Sequence, residues 1–153
     1  MKKVWFLLAA LHLMTACGRK EAQPVTLANP ISVSSLQAMG EETGHPAEAF
    51  QNLESLSVQR YNVEPVLYEL EFIGEDGLTY TLRLTEGKER SDISGMYFSW
   101  TETIEEEGYT LCLDDQGHGI CLWQETGFVY ALVMETDANR DRLLDMRTLL
   151  MGN

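Results

Sequence analysis

Between Leu56 and Glu135 apolar residues return at every second position within a series of short segments, most of them separated by glycine-bearing turns, and this period of two commits the middle of the chain to β-structure. The alternation is cleanest from Leu78 to Leu84. A three-residue loop, Glu75-Asp76-Gly77, with glycine at the left-handed position, sets Phe72 against Tyr80, Leu70 against Leu82 and Tyr68 against Leu84. The reverse side of that hairpin pairs Glu69 with Arg83, so one face is apolar, the other is charged, and the register is pinned.

Leu56 to Val63 and Val66 to Ile73 alternate as strands, and further strands follow at about Met96 to Glu105, Tyr109 to Asp114, Gly119 to Gln124 and Phe128 to Glu135. Between the third- and second-last of these, a two-residue turn at Gln116-Gly117 sets Leu113 against Ile120, Cys112 against Cys121 and Leu111 against Leu122. A Glu125-Thr126-Gly127 loop then sets Leu122 against Tyr130 and Ile120 against Leu132. Leu111, Leu113, Ile120, Leu122, Tyr130 and Leu132 thereby share one face. Cys112, Cys121, Trp123, Val129, Ala131 and Val133 share the other, which is apolar too. A sheet apolar on both sides needs cover, and helices supply it. Asn139 is placed to cap a helix from about Arg140 to Met151, with Leu143, Met146, Leu149 and Leu150 toward the sheet. Ser34 to Gln37 fits a capping box that opens a short helix through about Glu42. The expected fold class is α+β: an antiparallel meander of about seven strands in a curved sheet, with a short N-terminal helix and a C-terminal helix packed on it.

The first residues carry an address. Lys2 and Lys3, the apolar run Val4 to Met14 and the small residues Thr15 and Ala16 follow the order of a secretory signal. The run contains His12 and falls short of the roughly 20 residues that a bilayer-spanning helix requires. Met14-Thr15-Ala16-Cys17 resembles the bacterial lipoprotein signal pattern of an aliphatic residue, a small residue, Ala or Gly, then Cys, with Met where Leu is more usual. The resemblance implies that Cys17 receives a diacylglycerol, becomes the mature N-terminus and ties the protein to the lipid bilayer on the extracytoplasmic side of the cell membrane. Ordinary secretion with cleavage nearby is the alternative. Two acyl chains give stable anchoring where one binds reversibly. The expected organisation is a signal peptide over 1–16, the lipidated Cys17 and a polar tether over 17–30, and one domain over 31–153.

The chain holds 24 acidic residues against 11 basic, a formal net charge of −13, and cleavage before Cys17 would also remove Lys2 and Lys3. Such an excess repels nucleic acid, which is bound mainly through Lys and Arg contacts to phosphate. It equally disfavours adsorption on anionic headgroups. Cationic, neutral or protein partners are left, and an envelope protein or a small ligand is the expected partner class.

With Cys17 assigned to lipid, Cys112 and Cys121 remain as a pair. In the two-residue-turn register they oppose each other at a non-hydrogen-bonded position, where Cα atoms lie about 4.5 Å apart and a disulfide fits. Export favours oxidation, so a cross-strand disulfide is expected. A redox or metal role is the alternative, and no C-x-x-C or Cys/His cluster supports it.

Asn29-Pro30-Ile31, Leu78-Thr79-Tyr80, the stretch Asp92-Ile93-Ser94-Gly95-Met96-Tyr97 with Trp100, and Leu122-Trp123 through Tyr130 to a closing helix carry a second resemblance. Over about Asn29 to Met151 the chain resembles an uncharacterised family of small extracytoplasmic domains found in Gram-positive lipoproteins and outside anti-sigma-factor-like membrane proteins. The resemblance implies an antiparallel fold, no known catalytic residues, and a sensory or regulatory setting. The cysteine pair departs from the family pattern.

Catalytic signals are sparse. His118 with Asp114 or Asp115 allows a hydrolase, yet spacing supplies neither nucleophile elbow nor oxyanion hole, and a solvated turn residue is the simpler reading. Glu102, Glu105, Glu106 and Glu107 cluster at a hairpin tip and read as a solvated edge. Asp137, Asn139, Asp141 and Asp145 copy part of a calcium loop, but Arg142 and Thr148 replace its essential Gly and Glu, and helix capping explains Asn139 equally well. Neither a metal nor a cofactor is expected. Asp92, Tyr97, Trp100, Trp123 and Tyr130 are the candidate binding residues: the aromatics line either a core or a groove on the sheet. The functional expectation is a non-enzymatic, lipid-anchored binding or sensory module of the cell envelope. The alternatives are an envelope hydrolase and a carrier of hydrophobic ligands.

Overall fold

The hairpin with one charged and one apolar side takes the register its sequence dictates: Phe72 opposes Tyr80, Leu70 opposes Leu82, Tyr68 opposes Leu84 and Glu69 opposes Arg83. The computed structural model describes residues 31–32, 57–63, 67–125 and 127–152. The expected signal, Cys17, the tether and the short helix over 34–42 lie outside the described residues.

The elements run β1 (Ile31–Ser32), β2 (Ser57–Val63), β3 (Tyr68–Ile73), β4 (Thr79–Glu86), β5 (Glu102–Glu106), β6 (Tyr109–Leu113), β7 (Gly119–Glu125), β8 (Phe128–Met134) and a helix α1 (Arg140–Met151). Six strands, β3 to β8, carry the described faces of an open antiparallel sheet, and β2 with the two-residue β1 extends its β3 edge. Among the described residues the fold is mostly β with one helix, where the sequence suggests α+β with a helix at each end. Its path also differs from a single meander. The spatial order is β1-β2-β3-β4-β8-β7-β6-β5, so two meanders meet where β4 pairs with β8. The connection from β4 to β5 must therefore cross the breadth of β8, β7 and β6.

Both sheet faces are apolar, and each has its own cover. On one face Leu70, Phe72, Leu82, Leu84, Leu111, Cys121, Trp123, Leu132 and Met134 form the main core with Leu143 and Met146 of α1. Asn139 caps that helix as expected, its Oδ1 accepting the Arg142 N–H at 3.0 Å, and Gly152 ends it at φ 69°. Leu149, expected against the sheet, is instead 39% exposed. On the opposite face Cys112, Ile120, Leu122, Ala131 and Val133 form a smaller cluster, covered by Ile93, Met96 and Trp100 of the β4–β5 connection. That cover is a loop where a helix was the expectation, and the expected strand from Met96 shrinks to β5.

One strand, β7, is turned over relative to the sequence expectation. Leu113 pairs with Gly119, and the Asp114 N–H donates to the His118 carbonyl at 3.1 Å, so the β6–β7 loop is Asp115-Gln116-Gly117, three residues closed by Gly117 at φ 89°. Glu125 pairs with Phe128, which leaves two residues, not three, in the next loop. A one-residue slip moves every side chain of a strand to the other face. Cys112 therefore opposes Ile120, Cys121 opposes Leu111, and the two thiols lie on opposite faces of the sheet as free cysteines. The expected Cys112–Cys121 disulfide is not formed, because strand side chains pointing to opposite faces do not meet.

Candidate functional site

The β4–β5 connection, Gly87 to Thr101, is a strap lying across the sheet, and named bonds fix it along its length. Gly87 N–H donates to the Gly127 carbonyl at 2.9 Å. Arg90 reaches β5, with Nη2 3.2 Å from Glu105 Oε2 and Nη1 3.2 Å from the Glu106 carbonyl. At mid-strap a tight turn forms around Asp92, whose Oδ1 accepts both the N–H of Ser94 at 2.9 Å and its hydroxyl at 2.5 Å. Ser94 Oγ in turn accepts the Met96 N–H at 3.1 Å, and Gly95 supplies the left-handed residue at φ 69°. At the far end the Thr101 N–H donates to the Leu113 carbonyl at 2.9 Å.

Arg83 holds the middle of the strap from below. Its Nη1 donates to the Ser94 carbonyl at 2.6 Å, while Nε and Nη2 meet Glu69 Oε2 at 2.9 and 2.8 Å. The alternation alone predicts a charged sheet face carrying Glu69 and Arg83. The strap instead buries them, at 4% and 7% exposure. A buried ion pair is held well only when its remaining hydrogen-bonding capacity is met, and the strap backbone contributes here.

Beside this bolt the strap edge opens into a cleft of about 440 Å³, walled by Leu67, Ile93 and Met96 and carrying Arg83, Thr85, Asp92 and Tyr97 as its polar groups. Tyr97 is 69% exposed, unlike any other large apolar or aromatic side chain described except Leu149. Of the five candidate binding residues, Asp92 and Tyr97 thus share one cleft. Trp100 lies on the same face, half-buried against the smaller cluster. Trp123 and Tyr130 lie on the opposite face, stacked at 5.0 Å within the main core: Tyr130 holds the face expected for it, and the turned-over β7 brings Trp123 to the same side. Arg147 of α1 sits 5.7 Å from the Trp123 ring, so these two aromatics are packed and do not form a groove with the others. Arg83, Leu67 and Thr85 join the cleft without any local sequence signal that marks them as site residues. The Glu69–Arg83 register is the cleft's one visible trace in the sequence.

No family model, curated protein or solved structure matches the chain.

His118 is a second cluster. Its Nδ1 lies 2.6 Å from Asp114 Oδ2, and its ring stacks on Phe98 of the strap at 4.0 Å between centroids and 3° between planes. Phe98 meets Trp100 edge-on at 5.6 Å. Asp114 Oδ1 also accepts the N–H groups of Gln116 and His118, each at 2.9 Å. Burial raises the Asp114 pKa, but the His118 side-chain and backbone bonds together with the Gln116 N–H outweigh it and hold the carboxyl below its ordinary value. His118 is therefore half-buried and engaged where the sequence suggested a solvated turn. Among the described residues no Ser, Thr or Cys side chain is hydrogen-bonded to its ring.

The calcium-like stretch is capped helix: residues from Arg140 onward are helical, so Asp141 and Asp145 do not belong to a loop. Among the described residues no group of His, Cys, Asp and Glu is arranged to hold a metal ion. Likewise no described helix is long and apolar enough to cross a membrane.

Proposed function

We propose that the protein is a non-enzymatic, membrane-anchored lipoprotein that works as a binding or sensory module at the cell envelope, with the strap cleft as its recognition surface. The observation that carries this reading is the exposure of Tyr97 beside Asp92 on a loop whose other bulky residues are packed down. Connections longer than about 12–15 residues are uncommon unless they serve binding or gating. The signal ending in Met14-Thr15-Ala16-Cys17 supports the address, with Cys17 as the lipid-bearing residue and the domain on the extracytoplasmic side. The resemblance to small extracytoplasmic domains supports a sensory setting. The cover over both apolar sheet faces weighs against a carrier of hydrophobic ligands.

The test is photo-crosslinking in cells. A photoreactive phenylalanine replaces Tyr97 in the lipid-anchored chain, and a control carries the same signal and tether with an unrelated domain. A stoichiometric adduct specific to position 97 supports the reading. Adducts shared with the control, or found equally when the label sits at Glu135, overturn the cleft as the recognition surface.

The Asp114–His118 contact favours a second reading, an envelope hydrolase, since a carboxylate on Nδ1 orients an imidazole for base catalysis. His118→Ala would abolish turnover in a hydrolase and leave crosslinking at position 97 intact in a binding module.

A further inference from the structure

The chemistry of the strap cleft selects a class of ligand. Arg83 is the cationic side chain lining it, and its charge is matched by Glu69 at 2.8 Å. The charge left in the lining belongs to Asp92. Asp92 Oδ1 is occupied by Ser94, whereas Oδ2 takes no hydrogen bond from the described residues. The turn therefore leaves one carboxylate oxygen of a cleft-lining residue available to a ligand. Next to it Tyr97 offers its ring, and Leu67 and Met96 form an apolar wall. One anionic oxygen, one aromatic face and a polarisable apolar wall together suit a single positive charge carried on an aliphatic group. A carboxylate ligand would meet Asp92 with like charge and find Arg83 already paired. A neutral apolar ligand would leave the carboxylate unused.

We propose that the Asp92–Tyr97 cleft binds an alkylammonium group. This rests on the cleft being the recognition surface. Asp92 supplies the counter-charge, Tyr97 the cation–π face, and Met96 with Leu67 the contact for the alkyl carbons. The group can belong to a lysine side chain of a partner or to a quaternary ammonium ligand.

The test uses the full-length protein in dodecyl maltoside micelles with ¹³C-methyl methionine, the Met96 methyl being assigned through Met96→Leu. Nα-acetyl-lysine methylamide and choline are titrated separately, with 3,3-dimethylbutan-1-ol as the neutral analogue of choline. At least one of the two cations shifts the Met96 methyl in a saturable way, and which one binds more tightly identifies the source. Asp92→Asn, which keeps the turn to Ser94 but removes the charge, weakens binding about fivefold, and Tyr97→Leu weakens it by a similar factor. Equal affinity for the neutral analogue, no shift with either cation, or no loss in Asp92→Asn overturns the proposal. A crosslink at position 97 without any ammonium shift sinks the ammonium inference alone, whereas the absence of both sinks the recognition reading as well.

Discussion

Arg83 Nη1 lies 2.6 Å from the carbonyl oxygen of Ser94, joining a strand in the sheet to the middle of the strap that crosses it. The same guanidinium pairs with Glu69, its cross-strand neighbour on β3. Continuing the register from Glu69 and Arg83 leads through Ala131 and Leu122 to Thr110 and Glu105. Glu105 meets Arg90 of the strap and accepts the Thr110 hydroxyl at 2.8 Å. One row across the sheet thus carries a glutamate near each end, and an arginine at each end reaches the strap or belongs to it.

Removing the bolt should be costly. Arg83→Met leaves Glu69 buried without that guanidinium and takes a donor from the Ser94 carbonyl, and breaking such a pair costs about 3–5 kcal/mol. Urea denaturation measures the loss. The double variant Arg83→Met/Glu69→Leu should recover part of it, since no unmatched charge is left behind. If the single variant costs less than about 1 kcal/mol, the pair does not hold the strap.

Gly119 begins β7 directly beneath the start of α1. A Cβ there would lie 2.7 Å from the Ala138 Cβ, 2.8 Å from Leu113 Cδ2 and 2.9 Å from Leu143 Cδ1, so something must shift. Overpacking of this kind costs about 1–3 kcal/mol. Gly119→Ala should lose that much in urea denaturation, and adding Ala138→Gly should return a part by removing the nearest of the three atoms. A neutral Gly119→Ala would mean that α1 rides over β7 with room to spare.

The register of β3 and β4 was legible because Glu69 and Arg83 distinguish their two faces. That of β7 was not, because Cys112, Ile120 and Val133 are as apolar as Leu111, Cys121 and Leu132, so the pattern cannot tell one register from its one-residue slip. Loop length then decides, and Asp115-Gln116-Gly117 and Glu125-Thr126-Gly127 look alike in sequence. One forms a three-residue loop through the Asp114 side chain, and the other is short enough to let Glu125 pair with Phe128. The two differences in loop length offset each other across β7, so β6 and β8 keep the expected mutual facing while Cys121 and Trp123 change sides. The strap hid for another reason. Met96 to Trp100 has the β-branched-free but aromatic, apolar content of a strand, yet tertiary packing on the sheet face overrides that tendency. Asp92 and Tyr97 were visible as candidates; their nearness to Arg83 depended on a path across the sheet that no local pattern encodes.

The two thiols report on different covers. Burial pushes the Cys112 thiol above its ordinary pKa, and burial lifts Cys121 to about 12, so neither is readily ionised for alkylation. Both should be alkylated by iodoacetamide in denaturant without any reductant, and only slowly in the native protein. Cys112 lies under the strap and Cys121 in the helix-side core. Phe98→Ala, which removes the ring stacked on His118 and facing Trp100, should loosen the strap and speed native alkylation at Cys112 several-fold with little change at Cys121. Peptide mapping by mass spectrometry separates the two sites. A disulfide recovered between them, or equal acceleration at both, would contradict this arrangement.

Acid should undo the Asp114 anchor in a definite window. Its folded pKa lies below the ordinary value of 3.8, despite burial, because His118 and the Gln116 and His118 N–H groups stabilise the carboxylate. The stability this contributes is complete above the unfolded value and is lost as pH falls through the folded one. Between about pH 5 and pH 2 the wild type should therefore lose stability that Asp114→Asn does not lose, because Asn keeps an oxygen for the loop N–H groups but has no charge to forfeit. At pH 6 the variant should already be weaker than the wild type, and the two stability curves should converge toward pH 2. Urea midpoints across that range measure the convergence. Parallel curves would show that the 2.6 Å contact between Asp114 and His118 carries no net charge stabilisation, and that the loop's backbone bonds alone set the register of β7.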